Sequence, residues 1–205
     1  MMAKKKTKEK SVPPVMYIYC EGEKTEPLYL EAYISDRDKK GYSVFKIPKT
    51  RKNSPEQLVD LAIEKKKESS ADDVFWVVYD QEQLTSQSKS SHQRAWNKAN
   101  KNNINIAISC VCFELWILMH FGYTTKEFIS YKDLISSSPL KKLIPDYDKG
   151  SKNTYYFLKE KISDAKENSK RLSCYAKHNN ATTTPEYLYK SYTNFHDLLE
   201  NIDSF

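Results

Sequence analysis

Short apolar runs of strand length alternate along this chain with longer segments whose apolar residues recur every three or four positions, the periods of a buried strand and an amphipathic helix. The first run, Val15-Met16-Tyr17-Ile18-Tyr19-Cys20, is rich in β-formers and stops at Glu21-Gly22-Glu23-Lys24-Thr25, which reads as a turn. Thr25 as an N-cap, with Glu26 and Pro27 in the first turn, opens a helix continued by Leu28, Leu30, Tyr33 and Ile34. A weaker strand is predicted over 42–47. Ser54-Pro55-Glu56-Gln57 combines a cap, a first-turn proline and the Gln of a capping box. The helix that follows carries Leu58, Val59, Ala62 and Ile63 on one face and ends in Lys65-Lys66-Lys67, where the helix dipole favours positive charge.

Val74-Phe75-Trp76-Val77-Val78-Tyr79 is apolar on both faces, which predicts a central parallel strand ending at Asp80-Gln81-Glu82. A short polar helix over 90–101, a strand over 104–108 and a buried helix over 113–121 complete a β-α-β-α-β-α-β-α order. That order predicts an α/β fold with a parallel four-stranded sheet flanked by helices. After Gly122 the pattern changes. Pro139, and later Pro145-Asp146-Tyr147-Asp148, interrupt any long element, and two helices are predicted over 152–170 and 185–202. Leu188, Tyr192, Phe195, Leu199 and Ile202 lie on one stripe of the second. The predicted organisation is therefore a basic tail over 1–14, a core over 15–122 and a helical C-terminal extension over 123–205.

At 205 residues, 39% hydrophobic and 13% aromatic, the chain has the size and composition to bury a core without disulfide or metal staples. Its four glycines form neither G-x-G-x-x-G nor G-x-x-x-x-G-K-[ST], which argues against a dinucleotide-binding domain and a P-loop ATPase. The net charge of +6 is compatible with a polyanionic partner. Much of it, however, sits in Lys4, Lys5, Lys6, Lys8 and Lys10, where a solvated tail is the plainer account. No apolar run approaches membrane-spanning length, and the tail lacks the apolar stretch of a secretory signal. Four cysteines without C-x-x-C, and four histidines without H-E-x-x-H, fit a reduced, cytoplasmic protein without a zinc site.

The acidic residues are informative because of where they fall. Functional groups of open parallel sheets collect at the carboxyl ends of strands, and a 2-1-3-4 strand order brings the ends of the first and third strands together. Glu21, Asp80 and Glu82 would then converge, with Asp80 and Glu82 pointing the same way in an extended segment and Gln81 turned away. Carboxylates so close raise each other's pKa, and a hard cation such as Mg²⁺ or Mn²⁺ resolves the conflict. Simple capping of the next helices is the alternative. Glu114, in the otherwise apolar Cys112-Phe113-Glu114-Leu115-Trp116-Ile117-Leu118-Met119, is open to two accounts: favourable interaction with a helix dipole, or pairing with a metal or lysine. Lys24 is placed either to contact a phosphate or to pair with Glu26. Lys149, Lys152, Lys177 and His178 lie beside Tyr147, Tyr155, Tyr156 and Tyr175, an interleaving that suits single-stranded nucleic acid or an RNA loop.

Three stretches together carry a resemblance: Cys20-Glu21-Gly22-Glu23-Lys24-Thr25-Glu26-Pro27 with Tyr29, Asp80-x-Glu82 after an apolar strand, and 112–121 with its Phe113-Glu114-Leu115-Trp116 centre. With Tyr147-Asp148-Lys149 and Asn180-x-Thr182, they make the chain resemble the RloB-like family from about residue 15 to 200. The resemblance implies a Toprim-like catalytic core and an association with restriction-modification and abortive-infection loci, often beside an ATPase. It implies metal ligation by Glu21, Asp80, Glu82 and Glu114, with Glu82 standing where the Toprim pattern has a second Asp. The implied activity is Mg²⁺- or Mn²⁺-dependent cleavage of DNA or RNA in phage defence, with an ATPase partner. The alternatives are a non-catalytic nucleic-acid-binding adaptor of such an ATPase and a primase-like nucleotidyl transferase. Homo-oligomerisation is left open.

Overall fold

The computed structural model describes residues 13–37, 43–52 and 54–205. The five tail lysines, and Tyr42 at the start of the expected second strand, lie outside the described residues. Strands β1 (Val15–Cys20), β2 (Val44–Lys46), β3 (Val74–Asp80) and β4 (Asn105–Cys110) form the parallel order β2-β1-β3-β4, as the alternating pattern predicts. Helix α1 (Thr25–Arg37) follows β1, α2 (Pro55–Lys67) follows β2, α3 (Ser86–Asn102) follows β3 and α4 (Glu114–Met119) follows β4. The side chains of β1 and β3 alternate between two cores. Met16, Ile18, Cys20, Trp76 and Val78 join α1 and α4, whereas Tyr17, Tyr19, Phe75, Val77 and Tyr79 pack on α2 and α3.

Among the described residues the sheet has five strands, not four. The fifth, β5 (Tyr192–Thr193), pairs antiparallel with β4 through Ser109 and Cys110, so the segment after 122 is not purely helical. The single helix expected over 185–202 is instead a 3₁₀ turn (Glu186–Leu188), β5, and α9 (Phe195–Ser204). Pro185 and Tyr189 are extended, and β-branched Thr193 suits the sheet edge. The helix expected over 152–170 is divided into α7 (Thr154–Leu158), a 3₁₀ turn (Lys159–Lys161) and α8, which runs on from Ile162 to His178. Short helices α5 (Tyr131–Ser137) and α6 (Leu140–Leu143) cross the region read as irregular.

Asn194 fastens this added edge. Its Nδ2 donates to the Ile106 carbonyl and its Oδ1 accepts from the Ile108 N–H, both at 2.8 Å. Asn194→Ala leaves two strand-edge groups unpaired, and an expected cost of about 2 kcal/mol follows. A lower urea midpoint with an unchanged denaturant slope would register it.

Candidate active site

The turn after β1 begins with Glu21, whose N–H still donates to the Val78 carbonyl of β3 (2.9 Å). Its Oε2 accepts from the Asp80 N–H (3.1 Å), which ties the ends of β1 and β3 together through a carboxylate. Asp80 is in phase with Trp76 and Val78, so it faces the layer of α1 and α4. Two glutamates act on its charge, each from the first turn of a helix. Glu26 on α1 is buried, and Glu114 on α4 is fully buried.

Glu114 is held by Tyr147, whose hydroxyl donates to Oε1 at 2.8 Å. Its other oxygen, Oε2, is buried without a hydrogen-bond partner. An unpaired buried carboxylate oxygen is costly and calls for a cation. The nearest fixed positive charge is Lys149, with Nζ 4.0 Å from Glu114 Oε1 and over the Tyr131 ring at 4.8 Å. Gly150, with a φ of +92°, lets this 147–150 loop approach the Lys24 stem closely; an added Cβ would lie 3.0 Å from Lys24 Cβ.

The electrostatics record crowding. Burial pushes Glu21 up to about 7; the Asp80 N–H and Lys149 oppose the shift, and Glu82 and Glu26 add to it. Burial also raises Asp80 well above the carboxylate range, helped by Glu26, Glu114 and Glu21 against Lys149. Glu26 is raised by burial and by Glu114, again against Lys149. Burial lowers Lys149, but Glu114, Asp80 and Glu26 outweigh it and the net shift is upward. Four carboxylates thus share one lysine. Among the described residues, no three His, Cys, Asp or Glu side chains are grouped tightly enough to hold a metal ion as they stand.

Glu82 departs from the sequence expectation. Its φ of +52° ends the extended run, so alternation does not carry it to the side of Asp80. It is exposed, and its charge acts on Glu21. Gln81 does turn away: its side-chain Nε2 donates to the Tyr187 and Tyr189 carbonyls. Glu21, Asp80 and Glu82 line a groove of about 470 Å³, walled by the start of α2 and by α3 with Gln87, Ser91 and Arg94.

Lys24 is exposed and forms no ion pair with Glu26 among the described residues. Lys149 joins the carboxylates, Lys152 is exposed, and Lys177 lies 3.9 Å from Glu186 beside exposed His178. Of the interleaved tyrosines, Tyr147 serves Glu114 and buried Tyr155 donates to Asp36, whereas Tyr156 and Tyr175 are exposed. Glu26 was the residue missed, since a first-turn acid is ordinarily explained by the helix dipole. Its signal was the short turn after β1, which keeps the first turn of α1 at the strand's carboxyl end.

This arrangement draws on segments from Glu21 to Gly150, and the model of the RloB-like protein family spans all of them, matching residues 16–202. The chain belongs to the RloB-like family. Neither the curated proteins nor the solved structures compared with it gave a match. Among the described residues, no helix is long and apolar enough to cross a membrane. The RloB-like match includes the strand β5 and most of α9, so the family pattern extends over the C-terminal elements as well as the carboxylate-bearing sheet.

Proposed function

We propose that this RloB-like chain is a divalent-metal-dependent nuclease of phage defence, built on a Toprim-like core and working in the cytoplasm with an ATPase partner. The observation that carries the reading is the charge coupling of buried Asp80 to Glu21, Glu26 and Glu114 at the sheet's carboxyl edge, with one Glu114 oxygen buried and unpartnered. An all-oxygen donor set of this kind fits Mg²⁺ or Mn²⁺. Asp80, Glu114, Glu26 and Glu21 would hold the metal, with exposed Glu82 beside them at the groove. When bound, such an ion polarises a phosphodiester and lowers the pKa of water. The groove beside Glu21 and Asp80 receives the nucleic-acid strand, DNA or RNA, and Lys24 contacts its phosphate. Lys152, Lys177 and His178 extend the basic surface.

Asp80→Asn tests this directly. With Mn²⁺ and single-stranded or duplex DNA and RNA, wild type is expected to cleave at least one substrate. The variant should lose at least about a hundredfold in rate, roughly 3 kcal/mol of transition-state stabilisation. Equal cleavage by both proteins would remove the carboxylates from the chemistry. The adaptor reading draws on a different observation, the adjacent exposed Tyr156 and Phe157 on α7, a surface suited to a protein partner. An adaptor would keep partner binding after Asp80→Asn and cleave nothing.

A further inference from the structure

Among the described residues, Lys149 is the one side chain that brings positive charge within 4.0 Å of Glu114, and its charge also acts on Asp80, Glu26 and Glu21. It arrives on a short strap. Tyr147 N–H donates to the Ile144 carbonyl and Ser151 N–H to the Asp148 carbonyl, both at 3.1 Å, while the Tyr147 hydroxyl pins the strap to Glu114. Gly150 then folds the strap against Lys24, at the turn that carries Glu21. The Lys149 side chain is half-exposed, 47% accessible, so it has a route into solvent.

We propose that Lys149 is an internal counter-cation occupying the place of the divalent ion, and that metal loading requires the 147–151 strap to swing out. This inference rests on the metal-site reading above. A lysine and a divalent cation compete for the same carboxylates, because each compensates charge that the other would otherwise meet as repulsion. The competition makes metal affinity low while the strap is closed. It also sets Lys149 free once the ion is in place.

Two measurements on the full-length chain test it, neither depending on catalysis. Calorimetric titration of Mn²⁺ into metal-free protein is expected to give at least tenfold tighter binding for Lys149→Met than for wild type, whereas Lys149→Arg stays close to wild type. Amide hydrogen exchange at Tyr147 and Ser151 is expected to speed up when Mn²⁺ is added to wild type. Tighter binding by Lys149→Met without faster exchange would mean that the lysine acts only through space, and the strap mechanism falls. Equal affinity in the two proteins removes the competition altogether. No Mn²⁺ binding to wild type or to either variant defeats the metal site itself, and this inference with it.

Discussion

In metal-free buffer, Glu21→Gln is expected to melt above the wild-type chain at pH 8 and at nearly the same temperature at pH 4.5. Glu21 has a folded-state pKa pushed up to about 7, primarily by burial. Below the unfolded value of about 4.5, both states hold the proton and the group costs nothing. Between that value and 7 the folded state binds more protons than the unfolded one, so stability falls as pH rises. Above 7 the loss is complete, at about 3 kcal/mol from the conversion of about 1.36 kcal/mol per unit. Gln keeps an acceptor for the Asp80 N–H and removes the ionisation. For a chain of this size the gain corresponds to about 6–12 °C. Scanning calorimetry at the two pH values checks both size and sign; a variant equally stabilised at both would point to packing rather than charge.

Such a gain would describe a site held at the expense of stability, and it bears on why much of it was legible. Glu21 and Asp80 end strands whose apolar runs are unambiguous, and parallel order alone brings those ends together. Glu114 stood out as a lone charge in an apolar helix. The rest needed three-dimensional information. Glu82 was placed by extending the strand's alternation, which a left-handed residue interrupts. Lys149 comes from a loop whose position no local pattern specifies, although Gly150 marks a close backbone approach.

The fold divides in the same way. β1 and β3 follow from continuous apolar runs and β4 from alternation, but β5 was hidden inside a helical period. Leu188, Tyr192, Phe195, Leu199 and Ile202 fit one helix face, yet they serve two cores. Tyr187, Tyr189 and Tyr192 pack on the α2 and α3 side, and Phe195, Leu199 and Ile202 on the α1 and α4 side. A stripe that straddles a sheet edge mimics a stripe on one helix, and only the pairing with β4 separates them.

Gly22→Ala is expected to abolish the stabilisation that Mn²⁺ gives the wild-type chain while leaving the fold intact. The backbone at Gly22 is not in the left-handed region, so alanine brings no conformational strain of its own. What it brings is a methyl group 2.9 Å from Glu26 Cδ and closer still to Oε2, where no Cβ fits. The flexible carboxylate must leave, and with it a member of the cluster around Asp80. Loss of that charge relieves repulsion, so the metal-free variant should melt no lower than wild type. At 100 times its Kd an ion adds about 2.7 kcal/mol to the folded state, and that increment is what the variant forfeits. The double variant Gly22→Ala, Glu26→Ala locates the cause. If the methyl acts by expelling Glu26, adding it to Glu26→Ala changes Mn²⁺ affinity no further, a non-additive result read from a double-mutant cycle. Additive losses would instead place the effect of Gly22 in the turn that carries Glu21, and an unchanged Mn²⁺ affinity in Glu26→Ala alone would remove Glu26 from the ligand set.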